Sequence, residues 1–271
     1  MSTTGAATPP RVSVAGCPID PLTFAETLAR IERLISAGTP TQHCVVNAHK
    51  AVLMERDLRL REIVSGCALV NADGQSIVWA ARILGQPLPE RVTGIDLFQA
   101  LLQLAADRGY GVYFLGAKPA VVEKVVARAR RDHARLRICG WRHGYWTDDE
   151  VGNLIAAVRT SNADLLFLGI PSPRKEYWLA EHLQALGVPF CMGVGGSFDV
   201  YSGEVRRAPR WMQRTGLEWV FRFAQEPGRM WRRYLLGNLS FLLLVLRYRL
   251  RPRGRRGEQP ARRDNIGDDR A

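Results

Sequence analysis

Residues 165–176 read Leu165-Leu166-Phe167-Leu168-Gly169-Ile170-Pro171-Ser172-Pro173-Arg174-Lys175-Glu176. A short run that is apolar at every position reads as a strand. Gly169 and two prolines then stop it, and Pro173 suits the first turn of a following helix. Strand, punctuated loop and helix make half of a βαβ unit. The same alternation runs from residue 12 to residue 204, with strand-like runs at 44–46, 67–70, 111–115, 136–139 and 190–192. Helical patterns at 22–35, 48–56, 75–84, 95–106, 121–131, 150–159 and 175–186 lie between them. The expected fold class is α/β: a Rossmann-like, mostly parallel sheet with flanking helices, plus a helical C-terminal membrane-binding appendage.

The appendage is expected from charge. The chain has 38 Lys+Arg and 26 Asp+Glu; residues 205–271 hold 17 and 6 of them, leaving 21 and 20 for residues 1–204. A nearly neutral body with a cationic tail expects an anionic partner: a membrane surface, a nucleic acid or substrate phosphates. The expected organisation is a disordered leader (1–10), an α/β catalytic core (11–204), a basic amphipathic helical appendage (205–250) and a disordered basic tail (251–271). Within the appendage, helices are expected at 211–225 and 229–249, divided by Glu226-Pro227-Gly228. The apolar run Leu235 to Leu246 has twelve residues, against about 20 for a spanning helix. Flanked by arginines, Trp231 and Tyr234, it reads as a helix lying in a membrane interface. The leader carries no apolar run and does not read as a secretory signal. Five cysteines without a Cys-x-x-Cys pair read as buried thiols in a reducing cytosol.

In an open parallel sheet ligands bind at the carboxyl ends of strands, and four such places carry polar residues. Asn47 follows the first run and is either a helix cap or a site residue. Asp73, in Asn71-Ala72-Asp73-Gly74, is a cap or a catalytic carboxylate on a rigid element. Arg174 and Lys175, at a helix amide end, could receive a phosphate. Gly195 and Gly196, in Gly193-Val194-Gly195-Gly196-Ser197-Phe198-Asp199, would let the backbone approach a ligand. That stretch lacks the third glycine of a dinucleotide fingerprint, and zinc-ligand, P-loop and Gly-x-Ser-x-Gly patterns are absent as well. No cofactor and no metal are expected. His143 reads as a structural turn residue.

Together these places resemble the WecG/TagA/CpsF family of bacterial glycosyltransferases, from about Val45 to Tyr234. The segments that carry the resemblance are VNAHKAVLMERD (46–57), NADGQSIVWAARILGQPLPERVTGIDLF (71–98), HGYW (143–146), ADLLFLGIPSPRKEYW (163–178) and MGVGGSFDVYSGEVRRAPRWMQRTGLEWVFRFAQEP (192–227). The resemblance implies an inverting, metal-independent enzyme. It would move a sugar from a UDP-sugar donor to a polyprenyl-diphosphate-linked saccharide at the inner face of the cytoplasmic membrane, in cell-surface or exopolysaccharide synthesis. It implies Asp73 as the general base, Asn47 as an active-site asparagine and Arg91 as a donor-binding residue. Arg222, Arg229 and Arg232 would be appendage arginines completing the site at an anionic membrane surface. Two positions depart from the family pattern: Val45 stands where a threonine is usual, and Lys175 where a glutamine is usual. A cation at 175 suits a diphosphate or a uronic-acid donor, so glucose, uronic-acid and aminosugar donors all stay open. Self-association stays open too.

Two other functions are weighed. A nucleic-acid binder could use Arg206, Arg207, Arg210, Arg214 and Arg222 with Trp211, Trp219 and Phe221, but the long leucine run is wrong for a solvated nucleic-acid face, so no nucleic-acid partner is expected. An inactive family member acting as an assembly scaffold is disfavoured by the presence of Asn47, Asp73 and Arg91.

Overall fold

The computed structural model describes residues 9–216, 218–225, 228 and 237–250. Among the described residues there are eight strands: β1 Val12–Val14, β2 Cys17–Ile19, β3 Thr41–Val46, β4 Leu69–Ala72, β5 Gly111–Gly116, β6 Arg137–Arg142, β7 Leu165–Gly169 and β8 Phe190–Gly193. The first two form an antiparallel hairpin, and the other six a sheet in the order β4-β3-β8-β7-β5-β6. Every pairing in that sheet is parallel. The helices are α1 Phe24–Ala37, α2 Ala48–Arg56, α3 Leu58–Gly66, α4 Gln75–Ile83, α5 Gly94–Arg108, α6 Pro119–Asp132, α7 Val151–Thr160, α8 Arg174–Leu186, α9 Ser197–Ser202, α10 Arg210–Arg214, α11 Glu218–Gln225 and α12 Gly237–Leu250.

The all-apolar run at β7 is explained by its two covered faces. Leu165 and Phe167 join one core with α1, α5, α6 and α9, while Leu166 and Leu168 join another with α7 and α8. In the first core, Phe98 of α5 packs edge-on against Phe167 with ring centroids 4.8 Å apart. Phe114, Phe198 and Tyr201 complete that cluster. A third cluster joins the hairpin, β3 and β4 to α2, α3, α4 and α12.

Some elements differ from expectation. The hairpin strands have three residues each, too few to show alternation. The helix expected over 211–225 breaks at Thr215-Gly216, where Gly216 takes a positive φ of 77° that other residues adopt with difficulty. Residues 226–227 and 229–236, with the Pro227 break, and the expected termini 1–8 and 251–271 lie outside the described residues. All five cysteines are free, and only Cys139 is not buried.

On α12, Phe241, Leu244, Val245 and Tyr248 are buried against α2 and the hairpin. Their i, i+3, i+4, i+7 spacing makes one helix face. The opposite face exposes Leu239, Leu242, Leu243, Leu246 and Leu250. Among the described residues no helix is long and apolar enough to cross a membrane.

Candidate active site

Strands β3 and β4 pair with Val46 opposite Ala72, so Asn47 and Asp73 leave the sheet side by side at its carboxyl edge. The Asp73 N–H donates to the Val46 carbonyl at 2.8 Å, which locks the two strand ends together. Gly74 then turns the chain into α4 with φ 119°, and a Cβ on it would lie 3.9 Å from that of Asn47. Asn47 is indeed a cap: its Oδ1 accepts from the Lys50 N–H at 3.0 Å. The cap fixes the asparagine beside Asp73, so a structural and a functional role are compatible here. Both side chains are partly exposed.

Behind these strand ends lies buried charge. Lys50 and Glu176 form an ion pair of 2.6 Å, each side chain only 3% exposed. The Lys50 ammonium also donates to the Val45 carbonyl at 2.7 Å and meets Cys44 Sγ at 3.2 Å. Ser172 Oγ donates to the other carboxylate oxygen of Glu176 at 2.8 Å. Burial alone would push the Glu176 carboxyl up; Lys50, Lys175 and Ser172 outweigh it and hold the group below the usual range. Burial also works against charge on Lys50, but Cys44 and Glu176 overcome it and raise its affinity for the proton.

Lys175, one of the two cations that could receive a phosphate at the helix amide end, is buried rather than solvated. It is 7% exposed and donates to the Gly193 carbonyl at 3.1 Å. Its Nζ stands 3.8 Å from Glu176. Burial, then the neighbouring Lys50 charge, lowers its pKa, partly opposed by Glu176, Cys44 and Asp73. A Cβ on Gly193 would lie 2.8 Å from Lys175 Cδ, and one on Gly195 would lie 3.4 Å from its Nζ. Glycine at 193 thus makes room for this lysine, whereas Gly195 is set by its positive φ of 53°. Gly196 lies at the entry to α9, where a Cβ would lie 3.6 Å from an Asp199 carboxylate oxygen. Arg174, one residue before Lys175, is exposed, with its guanidinium 6.0 Å from the centre of the Trp146 ring.

The remaining expected residues come from the other side of Asp73. The Val92 N–H donates to the Ala72 carbonyl at 3.1 Å, which places the segment before α5 against the end of β4. Arg91 on that segment donates to the Gln213 carbonyl at 3.1 Å, tying it to α10. The turn at Gly216 approaches α4, where a Cβ would lie 2.8 Å from that of Gln75. The described start of the C-terminal region therefore stands beside Asp73. Arg222 is placed on α11, and Arg229 and Arg232 lie outside the described residues.

Among the described residues no group of His, Cys, Asp or Glu is arranged to hold a metal ion. Sequence reasoning did not find the Lys50–Glu176 pair, nor a buried chain in which His43 Nε2 donates to Asn71 Oδ1 at 2.9 Å and Asn71 Nδ2 donates to Thr27 Oγ1 at 3.1 Å. Burial drives His43 down to about 4.

Residues 12–255 match the family model described as glycosyl transferase WecG/TagA/CpsF family. The chain belongs to this glycosyltransferase family. It is also 35% identical over 191 residues to a Bacillus spizizenii protein named N-acetylglucosaminyldiphosphoundecaprenol N-acetyl-beta-D-mannosaminyltransferase, covering 70% of this chain and 72% of that protein. Asn47, Asp73, Arg91 and Lys175 of this glycosyltransferase all fall within the matched span.

Proposed function

We propose that the protein transfers a sugar from a UDP-sugar to a polyprenyl-diphosphate-linked saccharide, with inversion, without a metal, and with Asp73 as general base. The observation that carries this reading is the pairing of Asn47 and Asp73 at the ends of adjacent parallel strands in a chain of a glycosyltransferase family. The Bacillus relative's name specifies an N-acetylglucosamine acceptor on diphosphoundecaprenol, and an acceptor of that class is the one proposed here.

Asp73 takes the proton of an acceptor hydroxyl as its oxygen attacks the anomeric carbon. The bond from that carbon to the UDP oxygen breaks on the opposite face, which inverts the centre. Charge on the departing UDP needs preorganised cations. Arg91, Arg174 and the appendage arginines Arg222, Arg229 and Arg232 are assigned that contact, with the Gly195-Gly196 backbone beside it. Lys175, buried and bonded to Gly193, contributes through its charge.

The lipid acceptor asks for a membrane-bound enzyme, working peripherally at the inner face of the cytoplasmic membrane. The exposed leucine face of α12, with Arg247 and Arg249 in its last turn, is suited to an anionic bilayer surface. UDP release, measured with UDP-sugars of glucose, glucuronic acid and N-acetylmannosamine, with and without polyprenyl-diphosphate-linked acceptor, tests the reading. Release that requires the acceptor supports it and identifies the donor. Release from no pair by protein that binds anionic vesicles would overturn it.

A further inference from the structure

Helix α4 begins directly after Asp73-Gly74, and its outer face is apolar. Ile77, Val78, Ala80 and Ala81 are buried beneath it. A surface helix ordinarily turns polar residues outward, yet Trp79 and Ile83 are 51% and 50% exposed. Their i, i+4 spacing puts them on one face, and Gln75 continues it toward the helix start. From Gln75 to Ile83 that face runs about 12 Å along the helix axis.

The indole reaches back toward the Asp73 end of this face. A Cβ on Gly216 would lie 2.8 Å from Gln75 Cβ and 3.8 Å from Trp79 Cη2, so both side chains meet the same turn. Trp211 of α10 is exposed as well, and its carbonyl accepts from the Thr215 N–H at 3.0 Å, which fixes it to that turn. Single exposed apolar side chains are ordinary, but large ones gathered beside a site mark a binding surface. This surface is separate from the leucine face of α12, whose helix packs on α2 and the hairpin.

We propose that the Trp79–Ile83 face of α4, with Trp211 beside it, is the surface on which the first isoprene units of a lipid-linked acceptor lie. The proposal rests on the acceptor class given under the proposed function and extends it from the sugar to the chain. Such an acceptor has two unlike halves: a sugar whose hydroxyl must reach Asp73, and a prenyl chain that gains by leaving water. Helix α4 starts where the first half sits and presents an apolar track for the second. A flat indole and a branched aliphatic side chain meet methyl-branched alkene units by dispersion and apolar burial alone. The face therefore recognises the chain and not the sugar.

The test uses two soluble analogues of N-acetylglucosamine diphosphate, one esterified to a farnesyl chain and the other to a methyl group, with binding read by calorimetry without vesicles. Wild type should bind the farnesyl analogue at least roughly tenfold more tightly. Trp79→Ser should remove most of that advantage and leave the methyl analogue unchanged, while Trp79→Phe should keep it. Trp141→Ser, at an exposed tryptophan on β6 at the far edge of the sheet, should alter neither. No farnesyl advantage in wild type, or an undiminished one in Trp79→Ser/Ile83→Ser, would overturn the proposal. Binding of the double variant to anionic vesicles should match wild type; a parallel loss would make the face a bilayer contact and also overturn it. None of these readings needs turnover. A Trp79-dependent farnesyl advantage in a protein that transfers no sugar supports the surface and rejects only the reaction, whereas wild type that binds neither analogue rejects the acceptor class and the surface with it.

Discussion

The two sides of the sheet are filled in different ways. Around Phe98, beneath α5 and α6, the core is aliphatic and aromatic: Phe114, Phe167 and Phe198 are fully buried, with the Phe114 ring centre 6.0 Å from each of the other two. Beneath α2 and α8, buried side chains include Lys50, Lys175 and Glu176, whereas the neutral chain His43–Asn71–Thr27 lies on the α1 side of β3 and β4. Replacing a buried ion pair with apolar groups is often neutral or stabilising, so stability does not explain the second arrangement. Its position does. The charged side lies behind the strand ends that present Asn47 and Asp73, and the dry side carries the fold.

That contrast can be broken or sharpened by experiment. Phe98→Ala should have the largest effect on stability, a loss of about 5 kcal/mol, because it leaves a cavity among four rings. Denaturant unfolding would show it, while the pH dependence of transfer stays as in wild type. Lys50→Met should cost about 4 kcal/mol by leaving Glu176 without its nearest cation. The double variant Lys50→Met/Glu176→Met should lose less stability than the two single changes added together, yet transfer more slowly than wild type. Equal losses of stability and unchanged rates would remove the distinction between the two sides.

A pH titration of stability comes next. The folded His43 value of about 4 lies below the ordinary 6.5. Above pH 6.5 both states are neutral and the full stability is present. As pH falls from 6.5 toward 4, the unfolded chain binds a proton that the native one refuses, and about 3 kcal/mol is lost. Below pH 4 this group adds no further loss. His43→Gln should flatten that part of the curve, and an unaltered curve would contradict the assignment.

The smallest effect on stability is expected at α12. Leu242→Ser with Leu246→Ser, on the exposed face, should change stability by less than about 0.5 kcal/mol, while binding to anionic vesicles falls severalfold in a flotation assay. Phe241→Ala, on the buried face, should do the reverse. Equal vesicle binding by all variants would remove the membrane role assigned to this helix.

The parts legible in the sequence are those written by short-range pattern. Leu165 to Leu168 announces a strand, and the apolar runs at 44–46 and 67–70 likewise point to the strand ends that Asn47 and Asp73 follow. What was not legible depends on partners far apart in the chain. Lys50 and Glu176 are 126 positions apart, and Arg207 and Asp96 are 111 apart. Nothing local distinguishes a lysine that will be buried from one that will be solvated. Likewise α12 is apolar around much of its circumference, so periodicity could not say that Phe241 and Tyr248 turn inward while Leu242 and Leu243 face out.

The central claim is that Asp73 removes the acceptor proton, and single-turnover transfer by Asp73→Asn tests it most directly. The variant should fold with an unchanged unfolding midpoint, bind anionic vesicles as wild type does, and transfer sugar about a thousandfold more slowly. Transfer at close to the wild-type rate would contradict the account and move the base to another residue at the same strand ends.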